Sequence, residues 1–235
     1  MKYIVSAEYR FVYFVTPKVA CSSIKEALLP LFPIDADAYR HVDKDGSTRI
    51  RPHRAFNESR SQLNKKEYLA RESEFTDYLR FGFVRNPWDR LISCYRQKLL
   101  QRKRPDRKDN RPLQGSRGNP DAFYLGMPFA EFIEQVHAIP DSESDPHFRS
   151  QTGIFYTHDP DERCLASYIG RFESLTDDFA AVMEQLGLAD RISLGHRLRS
   201  RRPGKKPYTD FYDERLRRLV AERFADDIRL FGYDY

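Results

Sequence analysis

From Pro17 to Ile24 the chain reads Pro-Lys-Val-Ala-Cys-Ser-Ser-Ile, directly after a β-branched and aromatic run, Phe11–Thr16. A strand running through such a loop into a helix leaves backbone amides, here those of Val19, Ala20, Cys21 and their successors, pointing outward, where they attract anions. Ser22 and Ser23 add hydroxyl donors in the first turn, and Lys18 adds a cation. The GxxxxGK(S/T) pattern of ATP-binding loops is absent and the loop holds no glycine, which disfavours a magnesium-dependent nucleotide hydrolase. A second group of polar residues starts at Arg85, whose planar guanidinium offers a fork of charge-assisted donors to a phosphate. Ser93 lies two turns further on, and Arg90 and Gln97 share its side of the predicted helix. Between the two groups stands His53, a residue type able to take a proton from a hydroxyl near neutral pH.

The elements that must position these residues follow from periodicity. Phe11–Thr16 and Leu79–Val84 read as buried strands, and Ser47–Arg51 as a short strand with His53 at its end. After the first strand, Ile24, Ala27, Leu28, Leu31 and Phe32 form one apolar helix face, limited by Pro30 and Pro33. After the second, Asn86 is an N-cap, Pro87 the first helical residue, and Trp88, Leu91, Ile92, Tyr95 and Leu99 a core stripe. Helices are expected at Lys65–Glu72, Phe129–His137 and Thr176–Leu186, the last closed by Gly187, with a strand at Leu165–Phe172. A last long helix carries Tyr212, Leu216, Leu219, Val220 and Phe224, with Ile228 and Phe231 near its end. Strands alternating with helices imply an α/β fold, a central mainly parallel sheet flanked by helices, with ligands beyond the strands' C-terminal ends.

PKVACSSIK resembles the 5′-phosphosulfate loop of sulfotransferases, above all the carbohydrate branch that includes the chondroitin 4-O-sulfotransferases, whose loops read much like PKVACTSWK. FGFVRNPWDRLISCYRQKL resembles the same family's 3′-phosphate segment, a pattern like FVRDPFERLVSAYRDKF. Further similarity runs through YIGRFESLTDDFAAVMEQLGL and the stretch from Tyr208 to Tyr235, so the resemblance covers most of the chain. It implies a P-loop-type sulfotransferase fold and a donor, 3′-phosphoadenosine 5′-phosphosulfate, used without a metal. Carried over, it gives Lys18 a contact with the phosphosulfate and Ser22 and Ser23 contacts with the 5′-phosphate, within a loop running from Lys18 through Val19, Ala20 and Cys21 to Ile24. Arg85 and Ser93 take the 3′-phosphate. Lys18 is the cation expected at the bridging oxygen as negative charge grows there. Arg51-Pro52-His53 resembles the strand-end Lys-Thr-His of cytosolic sulfotransferases, which implies His53 as the general base, with His147 the alternative. Asp145–Gln151 resembles the DxHWxPQ stretch of the carbohydrate branch and assigns His147 to the acceptor, with Phe148 in place of Trp and Ser150 in place of Pro. Lys205, beside Arg201 and Lys206, belongs to a segment that closes over the donor in related enzymes. His41, His137, His158 and His196 receive no role.

Composition sets the outer limits. At 235 residues with 40% hydrophobic and 32% charged residues, seventeen Phe and fourteen Tyr, the chain suits one α/β domain, residues 1–235. No apolar run reaches the ~20 residues of a membrane span, which argues against stable insertion. The opening residues carry no signal-peptide pattern, so cytoplasmic residence is the default expectation. Cys21, Cys94 and Cys164 are widely spaced and odd in number, suggesting neither a disulfide framework nor a zinc site. The formal charge of +5 conceals basic stretches at Arg102–Arg111 and Arg197–Lys206, and residues 101–120 read as a mobile loop. The acceptor implied by the resemblance is a carbohydrate hydroxyl; a lipid-linked sugar, a metabolite and a peptide stay open, as does the oligomeric state. The rival readings are a P-loop-type small-molecule kinase and a basic module binding nucleic acid or a sulfated polymer; the first reading excludes nucleic acid as a partner.

Overall fold

The structure, a computed structural model, describes residues 1–42, 46–100, 113, 121–157, 162–195 and 206–235. The basic loop expected at 101–120, apart from Leu113, lies outside the described residues, as do His158, His196, Arg201 and Lys205. In chain order the elements are β1 (Lys2–Ser6), β2 (Phe11–Val15), α1 (Cys21–Leu28), β3 (Arg40–Val42), β4 (Thr48–Ile50), α2 (Pro52–Glu58), β5 (Gln62–Asn64), α3 (Lys65–Ala70) and β6 (Leu79–Val84). There follow α4 (Pro87–Lys98), α5 (Phe129–Ala138), α6 (Thr152–Phe155), β7 (Tyr168–Arg171), α7 (Leu175–Gln185), α8 (Glu214–Arg223) and α9 (Ala225–Phe231). They divide into two compact units, one of Met1–Val84 and Ile154–Arg201, the other of Arg85–Gly153 and Arg202–Tyr235.

The first unit is built on a five-stranded sheet in the order β5-β1-β2-β6-β7. β2, β6 and β7 pair in parallel, Phe11 opposite Leu79 and Phe81 opposite Tyr168, while β1 runs against both β2 and β5. All five residues of β2 are buried, as a strand covered on both faces requires. On one face Ile4, Phe11, Tyr13 and Phe81 pack with Ile24 and Leu28 of α1, Phe56 of α2 and Phe179, Val182 and Met183 of α7. The other face is aromatic: Tyr3, Phe14 and Tyr68 meet with ring centroids 4.5–5.5 Å apart. There a Cβ on Gly82 would sit 2.6 Å from the Phe155 ring, so the close approach of that ring depends on glycine.

The second unit is helical. Trp88, Leu91, Cys94 and Tyr95 of α4 and Leu99, which caps its C-terminus, form one core with Phe132, Ile133 and Val136 of α5, Phe148, and Leu216 and Val220 of α8. Among the described residues no helix is long and apolar enough to cross a membrane.

The α/β architecture with a mostly parallel sheet agrees with the sequence, and several elements differ in detail. β1 and β5 were not foreseen; both are short, and each has a charged or polar residue at its start. The Ser47–Arg51 strand is β4, which pairs with β3 as a separate ribbon rather than joining the main sheet. His53 therefore does not end a strand: Pro52 supplies the fixed backbone angle of a first helical residue and opens α2, with Ala55 N–H donating to Arg51 O at 3.1 Å. The strand expected at Leu165–Phe172 contracts to β7. The last long helix is two, broken at Phe224 (φ −117°, ψ 30°), which stays in the core at 1% exposure.

Candidate active site

In the first unit, β2 delivers the chain into Pro17–Ala20. Val19 is fully buried and anchors this loop, and Lys18 (φ 69°) and Ala20 (φ 49°) both adopt the left-handed conformation that favours glycine. Non-glycine residues held there cost about 1–3 kcal/mol each, and such strain gathers at ligand-holding sites. The strained turn starts α1 abruptly: Ile24 N–H already donates to Ala20 O at 3.1 Å. As N-cap, Ala20 has no side-chain oxygen to offer the first-turn amides, where serine, threonine, aspartate or asparagine would satisfy one. The turn thus enters α1 through two left-handed residues without glycine, and the backbone amides of Lys18 and Cys21 lie against the Cys21 sulfur.

Facing this turn is His53, the second residue of α2. Its Nε2 lies 2.8 Å from Ser22 Oγ and 3.8 Å from Cys21 Sγ, and its Nδ1 lies 3.2 Å from Lys25 Nζ. Ser22 and His53 are exposed, Lys18, Cys21 and Ser23 half-buried, and Ile24 is in the core. Burial pushes the Cys21 thiol up in pKa, against the opposing pull of Lys25 and Lys18. Lys25, only 2% exposed, is lowered to about 8 chiefly by burial. The structure thus brings together Ser22, Cys21 and His53 at the start of α1, and adds Lys25, which the sequence did not single out. Its spacing three residues after Ser22 and four after Cys21 was the available signal, since those positions share a helix face.

In the second unit, Arg85 stands immediately before α4. Asn86 caps that helix, its Oδ1 accepting from Trp88 N–H at 3.0 Å, and its Nδ2 donates to Asp234 O at 2.8 Å. The Arg85 side chain is 6% exposed and donates through Nε and Nη2 to Asp89 Oδ2 at 3.0 and 2.7 Å. Its backbone is gripped from both sides by the buried Gln151, which accepts from Arg85 N–H at 2.9 Å and donates to Arg85 O at 2.9 Å. Gln151 is held in turn by Asp227, which accepts from its backbone N–H at 2.9 Å, its Nε2 at 3.2 Å and Thr152 N–H at 2.8 Å. Burial pushes the Asp227 carboxyl up, opposed by the Arg90 charge and these donors. Arg90, on the same side of α4 as Ser93 in the sequence pattern, is 1% exposed and belongs to this buried network. Ser93 is half-buried on α4 and Gln97 is exposed.

His147 sits in an aspartate-stabilised turn of the second unit, both its backbone N–H and its Nδ1 meeting Asp145 Oδ1, at 2.9 and 2.6 Å. Phe148 is fully buried and packs on Phe123 with ring centroids 5.2 Å apart, so the aromatic in this segment is a core residue. Ser150 donates through N–H and Oγ to Asp141 Oδ1, which also receives Arg223. Gln151 and Asp227 are residues that sequence reasoning passed over; Gln151 stood in the quoted stretch, but its partner lies 76 residues away. Among the described residues no group of His, Cys, Asp or Glu is arranged to hold a metal ion.

A family model described as "Sulfotransferase family" matches residues 1–234. The chain is 27% identical to carbohydrate sulfotransferase 14 of Danio rerio over 98% of its own length and 61% of the relative's. It is 26% identical to carbohydrate sulfotransferase 12 of Xenopus laevis, over 98% and 59%. With carbohydrate sulfotransferase 10 of Gallus gallus it shares 24% identity over 96% and 64%. The chain spans about six-tenths of the length of these curated relatives. No solved structure gives a significant match.

Proposed function

We propose that this chain, which belongs to the sulfotransferase family, moves a sulfuryl group from 3′-phosphoadenosine 5′-phosphosulfate to a hydroxyl, with carbohydrate as the acceptor class. The observation that carries the reading is the contact of His53 Nε2 with Ser22 Oγ at 2.8 Å, beside a turn that two left-handed non-glycine residues hold at a helix start. When bound, the donor supplies the sulfuryl group and a phosphate leaving group. The loop from Lys18 through Val19, Ala20 and Cys21 to Ile24, with the Ser22 and Ser23 hydroxyls, holds the 5′-phosphate end. Lys18 places a cation where negative charge grows as the bridging bond breaks, an electrostatic role that costs about 10²–10³ in rate when a comparable single donor is removed. Arg85 and Ser93 hold the 3′-phosphate, and Lys205 adds a further donor contact. For that role Arg85 is pre-set: Asp89 fixes its fork and Gln151 fixes its backbone. His53 takes the hydroxyl proton, and His147 binds the acceptor. The names of the relatives, all carbohydrate sulfotransferases, support the acceptor class.

The test is transfer from the donor to a panel of glycans and small hydroxyl compounds, read by mass, with wild type, Lys18→Ala and His53→Ala. Sulfation of a glycan that both variants lose while keeping the wild-type melting profile is the expected result. Full activity in His53→Ala removes it as the base, and no sulfation of any panel member by wild type sinks the acceptor class.

A further inference from the structure

Lys25 is a lysine at a buried position of its helix. It lies on α1 between the fully buried Ile24 and Leu28, is itself 2% exposed, and brings Nζ to 3.2 Å from His53 Nδ1. Burying an ammonium is costly unless it is paired, and the charged groups acting on Lys25 do not neutralise it. From its own helix comes the Cys21 thiol, itself pushed up by burial; from β1 comes Lys2, a second cation; Lys18 acts on the same Cys21 from the loop, as does the Tyr13 phenol from β2. From α2 comes the His53 ring.

We propose that Lys25 is a positioning residue that sets which ring nitrogen of His53 carries the proton, and thereby when Nε2 is available as a base. An ammonium has donors and no lone pair. While charged, Lys25 donates to Nδ1, so the neutral ring must keep its proton on Nε2, the nitrogen that faces Ser22. Uncharged, the amine presents a lone pair, accepts from Nδ1–H and leaves Nε2 bare. A hydroxyl proton can then pass to Nε2 while the Nδ1 proton passes to Nζ; one proton is gained and one given up by the ring, which ends neutral, and the charge ends on Lys25. Burial, by lowering Lys25 to about 8, brings this exchange within reach of ordinary pH. The structural half of the proposal stands on the contacts alone; its catalytic half rests on the reading of His53 as base.

The test uses the full chain labelled with ¹⁵N-histidine, the His53 signals assigned by their loss in His53→Asn, and the ring nitrogens followed between pH 6.5 and 9.5. In wild type the protonated nitrogen is expected to change from Nε2 to Nδ1 as pH rises through about 8, the balance shifting roughly tenfold per pH unit. Lys25→Arg, a cation at every pH used, should hold the proton on Nε2 throughout, and Lys25→Met should abolish the pH-dependent exchange. A wild-type ring that keeps one tautomer across the range overturns the proposal whether or not either variant folds, and so does a Lys25→Arg ring that titrates like wild type. In the transfer assay kcat should rise through the same range and fall about 10²–10⁴-fold in Lys25→Arg. Tautomer exchange without sulfuryl transfer at any pH upholds the Lys25 assignment and fails the sulfotransferase reading instead.

Discussion

The two polar clusters bind charge by opposite means. In the first unit, the site from Lys18 to Ile24 with His53 is half open, rests on two left-handed non-glycine residues, and contains a buried amine whose charge is near its tipping point. In the second unit, Arg85 is buried, forked onto Asp89, and braced through Gln151 and Asp227 by a network closed from the solvent. A permanently charged guanidinium gains from rigidity, because a fixed fork loses less entropy on meeting a phosphate. A site that must take up and release a proton gains from groups whose charge can change. Under the proposed function this difference divides the work: the second cluster holds and the first reacts.

The comparison breaks most sharply at His53. His53→Ala should lower kcat by about 10²–10⁴-fold with little change in donor affinity, measured by steady-state kinetics and calorimetry. Loss of affinity with unchanged kcat would move His53 to the holding side. In the second unit the largest effect should be on stability: Asp227→Ala removes the main charge opposing the buried Arg90 and the acceptor of the Gln151 and Thr152 N–H groups, and about 3–5 kcal/mol should be lost in denaturant unfolding. A cost under 1 kcal/mol would mean that this network is not the brace described.

Lys25→Met should do the reverse and stabilise the fold. A lysine whose folded pKa is depressed to about 8 binds fewer protons folded than unfolded between pH 8 and its ordinary value of 10.5. Stability from this group therefore rises with pH across that window and is lowest below it. Removing it should add roughly 3 kcal/mol at pH 7, a gain that shrinks toward pH 10. Equal gains at both pH values would show that the amine is not desolvated. The smallest expected effect is Asn86→Ala, which removes the cap of α4 and should cost about 1 kcal/mol in thermal unfolding.

Legibility in the sequence tracked how local each cause was. The strand Leu79–Val84, the cap at Asn86 and the proline at position 87 depend on neighbours within a few residues, and the structure has them where the pattern put them. β7 fell short of its expected length because its residues are fixed by pairing with β6, and the strand stops where that pairing stops. The chemistry of His53 is legible but its position at the end of the Ser47–Arg51 strand is not the one observed, because Pro52 opens a helix directly after that strand. Lys25 and the Gln151–Asp227 brace were hidden for a different reason. A buried lysine looks like a surface residue in a helical pattern until its partner, 28 residues on, is known, and a contact across 76 residues leaves no local periodicity.

The most direct test of the account is ligand-induced stabilisation. Adenosine 3′,5′-bisphosphate, at a hundred times its Kd, should raise unfolding free energy by about 2.7 kcal/mol without magnesium, and ATP with magnesium should not. Stabilisation by ATP and magnesium, with no response to the bisphosphate, would contradict the central claim that this chain reads a 3′-phosphorylated donor.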